Sequence, residues 1–93
     1  MKADVAVIIV SYNSADFIGS CLRSVIAQRR SVNQQIIVVD NKPGDGTAEV
    51  IARDFPEVTL VSPGANLGFA KGVNLGVRSS DAEFVLLLNP DTE

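Results

Sequence analysis

The chain has 93 residues, of which 46% are hydrophobic and 20% charged, and a net charge of −3. That is at most one domain with a modest core, and the balance excludes a disordered chain and argues against nucleic-acid binding, because the longest basic run is Arg29 and Arg30. With one cysteine and no histidine, an internal disulfide, a cysteine-rich zinc site, an imidazole metal site and any Ser-His-Asp or Cys-His mechanism are excluded, leaving carboxylates, amides, hydroxyls, Lys71 and backbone groups for chemistry.

The first predicted element is "VAVIIV" at 5–10, a continuous apolar run that reads as a strand buried on both faces. Ser14 then suits a helix N-cap. Phe17, Ile18, Cys21, Leu22, Val25 and Ile26 fall on one stripe with helical spacing. Asp16 in the first turn and Arg29 and Arg30 near the end suit the helix dipole. Cys21 lies on the apolar stripe and reads as core packing. "IIVVD" at 36–40 is a second strand without polar alternation. "DGTAEV" opens a second helix, capped by Asp45 or Thr47 and ending before Pro56. "VTLVS" at 58–62 alternates, as expected of a strand near a sheet edge. "PGANLG" leads into a third helix, roughly 69–78, and "EFVLLL" at 83–88 is a fourth strand, again continuously apolar and expected to be buried on both faces.

Strands alternating with single helices imply an α/β fold of three layers, α/β/α. The β-α-β-α-β-α-β order predicts a parallel four-stranded sheet with right-handed crossovers and strand order 3-2-1-4. All strands of such a sheet end on one side. The segments after them are "SYN" at 11–13, "DNKPGDG" at 40–46, "PGANLG" at 63–68 and "NPD" at 89–91. Ligands of open α/β sheets bind outside the carboxyl ends, at the point where strand order reverses. That crevice lies between the ends of strands 1 and 4, flanked by Tyr12, Asn13 and Asp91. Any one of these segments alone reads equally as a turn; their collection at one edge favours a site.

Asp40, just past a buried strand, is placed to accept hydrogen bonds from a base or ribose. Asp91 follows Pro90, which fixes the chain direction, and suits Mg²⁺ or Mn²⁺ shared with substrate phosphates. The other reading of Asn89, Pro90 and Asp91 is a strand-terminating turn. Glycines at 64, 68, 72 and 76 recur four apart. Gly72 and Gly76 then share a helix face, for tight packing on the sheet or for contact with a ligand. Asn66, Gly68 and Lys71 open the helix, where N–H groups and an ammonium face an anion. Neither G-x-G-x-x-G nor G-x-x-x-x-G-K-[ST] occurs, so the signatures of Rossmann dinucleotide binding and P-loop hydrolysis are absent.

In order and spacing, "VIIVSYNS", "CLRSV", "IIVVDN", "DGTAEVI", "NLGFAKGVNLG" and "FVLLLNPDT" resemble the N-terminal half of a family 2 glycosyltransferase with the GT-A fold, in its rhamnosyltransferase-like branch. The resemblance covers essentially the whole chain. It implies a Rossmann-like donor-binding subdomain at 1–93 for a nucleotide-diphosphate-sugar, with a saccharide or lipid-linked acceptor. On that likeness Ser11, Tyr12 and Asn13 line the base pocket. Asp40 bonds the nucleoside with Asn41 beside it, and Asn66, Gly68, Lys71 and Asn74 lie along the nucleotide and its phosphates. "NPD" stands where the family has D-x-D, so Asp91 would hold a divalent cation, Mg²⁺ or Mn²⁺, with Asn89 in place of the first aspartate. Lys42 and Pro43 depart from the small residues usual there, and Lys42 brings an extra positive charge toward the nucleotide.

An inverting transfer needs a base for the acceptor hydroxyl. The resemblance places that carboxylate downstream of D-x-D, and none of Asp4, Asp16, Asp45, Asp54 or Asp81 matches it. The expectation is therefore part of a longer transferase, inactive alone. The alternatives are a stand-alone nucleotide-binding or partner-binding module, and a receiver-like domain, which lacks its acidic pair after strand 1. No signal peptide is apparent, so a cytoplasmic location is expected, with membrane association if the acceptor is lipid-linked. The fourth strand should pair on one side only, and self-association through the edge from Phe84 to Leu88 is expected.

Overall fold

The computed structural model describes residues 4–12, 15–27, 33–41, 44, 46–64, 67–82 and 84–88. The elements alternate as the apolar runs require: β1 (Val5–Ser11), α1 (Ala15–Ala27), β2 (Gln34–Asp40), α2 (Thr47–Asp54), β3 (Thr59–Val61), α3 (Gly68–Arg78) and β4 (Phe84–Leu88). The strands form one parallel sheet in the order β3-β2-β1-β4. β1 and β2 run in register from Val5 beside Gln34 to Ser11 beside Asp40, and β4 pairs with β1 from Phe84 beside Val5 to Leu88 beside Ile9. The three-layer α/β fold and the 3-2-1-4 order expected from the sequence are both present.

Because side chains alternate across a strand, β1 and β2 each feed two cores. On one face Val7, Ile9, Ile36 and Val38 pack with Ile18, Cys21 and Leu22 of α1, with Ile51 of α2, and with Phe55 and Val58 beyond it. On the other, Ala6, Ile8, Ile37 and Val39 meet Leu75 of α3 and Ala82. Each aliphatic side chain fully buried in this way contributes about 1.5–3 kcal/mol. Cys21 is in the first core, as its place on the stripe predicts, and burial pushes its thiol pKa up.

The approach of α3 depends on its glycines. A Cβ at Gly76 would lie 2.6 Å from Ile8 Cγ2 and 3.3 Å from Val39 Cγ2. A Cβ at Gly72 would lie 3.0 Å from Val10 Cγ1 and 3.0 Å from Asn41 Nδ2. Of the two readings open for Gly72 and Gly76, the structure supplies direct grounds for helix–sheet packing.

β4 is apolar throughout yet not buried: Phe84, Val85, Leu86 and Leu87 are 63%, 43%, 51% and 46% exposed, and only Leu88 packs against the α1–α2 core. The cause is topological, since β4 has β1 as its neighbour on one side and the helices pack over the centre of the sheet. Thr47 does not cap α2. It is the first helical residue and is buried, while the N-cap is Gly46 at φ 95, with no side-chain cap bond. α3 begins at Gly68, one residue before the expected start. Ser14, Arg29, Arg30 and Asp45 lie outside the described residues. Among the described residues, no helix is long and apolar enough to cross a membrane.

Candidate functional site at the carboxyl edge of the sheet

The parallel register ends β1 and β2 level with one another. Ser11 and Asp40 are therefore neighbours, and the backbone N–H of Asn41 continues the ladder one residue further, donating to the Ser11 carbonyl at 2.8 Å. All three side chains are withdrawn from solvent: Ser11 is 0%, Asp40 1% and Asn41 2% exposed. The Ser11 hydroxyl lies 3.5 Å from that of Thr47, so the end of β1 is tied to the first turn of α2.

Asn41 reaches across to the other layer. Its Nδ2 donates to the Gly68 carbonyl at 3.0 Å, and its Oδ1 accepts from the Leu67 N–H at 3.4 Å. Gly68 has φ 79, a left-handed conformation that glycine adopts without strain, and it opens α3. Lys71 and Asn74 follow within the next two turns, and both are exposed. Tyr12, just past β1, is 54% exposed, so much of its ring faces solvent at this edge. β4 ends at Leu88 beside Ile9, so its carboxyl end points to the same edge.

The structure thus brings Ser11, Tyr12, Asp40, Asn41 and Gly68 to one edge, with Lys71 and Asn74 on the helix that rises from it. Asn13, Asn66, Asn89 and Asp91 lie outside the described residues. Among the described residues, no group of three or more metal-ligating side chains occurs. Chemically, the edge combines a buried carboxylate at a strand end with a lysine and an amide one layer away. Such a pair of features suits a ligand with hydrogen-bond donors at one end and negative charge at the other.

Two features escaped the sequence. Thr47 reads as a helix cap from its neighbours, yet its hydroxyl packs inside against Ser11. The partners of the Asn41 amide are 26 and 27 residues away, beyond any local pattern.

Comparison with known proteins shows the family and the fold to which this edge belongs. Residues 6–93 match the sequence profile described as Glycosyl transferase family 2. The N-acetylglucosaminyl-diphospho-decaprenol L-rhamnosyltransferase of Mycobacterium tuberculosis is 31% identical over 99 aligned residues, covering 94% of this chain and 32% of that protein. Among solved structures, the mannosyltransferase PcManGT from Pyrobaculum calidifontis, in complex with GDP-Man and Mn²⁺, superposes with a TM-score of 0.84 at 28% identity, over 98% of this chain and 28% of that one. Residues 1–349 of S. aureus TarS, in complex with UDP-GlcNAc, superpose with a TM-score of 0.82 at 27% identity, over 98% of this chain and 27% of that one. The chain spans about a third or less of the length of these proteins. The neighbours are GT-A glycosyltransferases, and the profile match runs from the second residue of β1 to the last residue: the chain belongs to glycosyl transferase family 2.

Proposed function

We propose that this chain is the donor-binding part of an inverting, metal-assisted glycosyltransferase that moves a sugar from a nucleotide-diphosphate-sugar to an acceptor hydroxyl. The observation that carries the proposal is the Asp40 carboxylate, 1% exposed and level with Ser11 at the edge where the strand order reverses, in a chain of this family. Two structural neighbours are complexes with GDP-Man and with UDP-GlcNAc, which supports a nucleotide-sugar as ligand.

In this proposal Tyr12 and Asn13 contact the base and Asp40 accepts hydrogen bonds from the nucleoside. Asn66, Gly68, Lys71 and Asn74 follow the nucleotide toward its phosphates. Ser11 is buried against Thr47 and shapes the floor of the base pocket through its backbone. Asp91, with Asn89, holds the divalent cation; Mn²⁺ in the complex of the mannosyltransferase supports one. When bound, that cation neutralises charge that grows on the leaving diphosphate. Oxygen donors of this kind fit Mg²⁺ or Mn²⁺, which take few carboxylates and complete their shell with phosphate and water.

A saccharide or lipid-linked acceptor is proposed, in line with the diphospho-decaprenol in the name of the rhamnosyltransferase relative. None of Asp4, Asp16, Asp45, Asp54 or Asp81 matches the family's base for the acceptor, so residues 1–93 alone are expected to bind donor without transferring. A cytoplasmic location, with membrane association where the acceptor is lipid-linked, belongs to the same proposal.

The deciding experiment titrates UDP-, dTDP- and GDP-sugars in the presence of Mn²⁺ or Mg²⁺ against wild type, Asp40→Ala and Asp91→Ala. Saturable binding that both substitutions weaken is expected. No binding, or binding that neither substitution weakens, rejects the proposal.

A further inference from the structure

Asn41 sits between the two layers that the donor would bridge. Its backbone is pinned to β1 through the Ser11 carbonyl, and its side chain is pinned to the start of α3 through Leu67 and Gly68. The two ends of the amide are matched to their partners: exchanged, an NH₂ would face the Leu67 N–H and an oxygen would face the Gly68 carbonyl. Leu67 is the N-cap of α3 and makes no side-chain cap bond of its own, so Asn41 satisfies a leading N–H that the helix cannot. Gly72 closes the far side, since a methyl there would lie 3.0 Å from Nδ2. Both hydrogen-bonding ends of the amide are thus taken by the backbone at the start of α3.

We infer that Asn41 is a positioning residue. It does not touch the donor but holds the first turns of α3, with Gly68, Lys71 and Asn74, at a set distance from the Asp40 carboxylate. The use made of that distance rests on the donor-site proposal; the clamp rests on the hydrogen bonds alone. A nucleoside engages only the strand-end side of the edge. A nucleoside diphosphate engages both sides, and its affinity depends on their spacing. Loosening the clamp therefore lowers diphosphate affinity selectively, whereas losing a direct contact or the fold lowers both.

Two variants test this, Asn41→Ala and Gly72→Ala. The second displaces the Asn41 amide without removing it, and places a stronger helix former in α3, so it remains informative if the first does not fold. Hydrogen exchange at Leu67, Gly68 and Phe69 should accelerate in both variants while β1 and β2 stay protected. Affinity for whichever of UDP, dTDP or GDP wild type binds should fall about tenfold, as the loss of one or two net hydrogen bonds implies. Affinity for the corresponding nucleoside should stay within about twofold, since no donor contact is removed. Equal losses for nucleoside and diphosphate, or unchanged affinities, overturn the inference. Failure of the donor-site proposal looks different: wild type binds no nucleotide. Exchange then decides alone, with faster exchange at Leu67 in both variants supporting the clamp and unchanged rates overturning it.

Discussion

Ser11 and Asp40 end neighbouring parallel strands in direct register, one hydroxyl and one carboxylate side by side at 0% and 1% exposure. In the donor-site proposal, that relationship joins the sheet to the ligand. β1 and β2 are buried on both faces, so they are rigid, and residues at their carboxyl ends share that rigidity. The position of the Asp40 carboxylate is set by the strand ladder rather than by a loop.

Asp40→Ala should lower nucleotide affinity by about tenfold, the loss expected for about one net hydrogen bond. Calorimetric titration measures it. An unchanged dissociation constant with a normally folded variant would place the nucleoside elsewhere.

Divalent cation and Asp91 should act as one. Chelation of Mg²⁺ and Mn²⁺ from wild type should lower diphosphate affinity to the level of Asp91→Ala, and chelation of that variant should change nothing further. An additional loss on chelating Asp91→Ala would move the cation to other ligands.

Gly76→Ala should destabilise the fold. A methyl 2.6 Å from Ile8 Cγ2 forces a shift in a packed core, costing about 1–3 kcal/mol, against a helix-propensity gain of at most about 1 kcal/mol. Urea denaturation should show a net loss of about 1 kcal/mol, the balance of the same two effects. A stabilised variant would show that Ile8 has room to rotate away.

The outer edge of β4 should mediate self-association of this 93-residue chain. Phe84, Val85, Leu86 and Leu87 are exposed on a strand paired with β1, and an apolar edge of this kind is a template for another strand. Sedimentation should show concentration-dependent association that Leu86→Lys suppresses. A monomer at high concentration, with fast amide exchange along β4, would refute it.

Much of the fold was legible because its signals are local. Continuous apolar runs mark β1 and β2, alternation marks β3 as an edge, and Pro56 ends α2. The candidate edge was legible for the same reason, since a parallel order sends every strand end to one side. The role of Asn41 was not, because its partners Leu67 and Gly68 are brought near by a crossover. From the sequence it stands beside Asp40 as a second ligand contact. In the structure its amide is committed to the backbone of α3.

β4 marks the same division. Local pattern is enough to read "FVLLL" as a strand beside β1 with a polar, carboxylate-bearing segment after it. The packing of the folded chain is what leaves the strand's apolar faces uncovered, turns Thr47 inward, and lets Gly72 and Gly76 admit α3 to the sheet. Hydropathy states which residues gain by leaving water. Their cover depends on where the other elements pack, and that is a property of the whole chain.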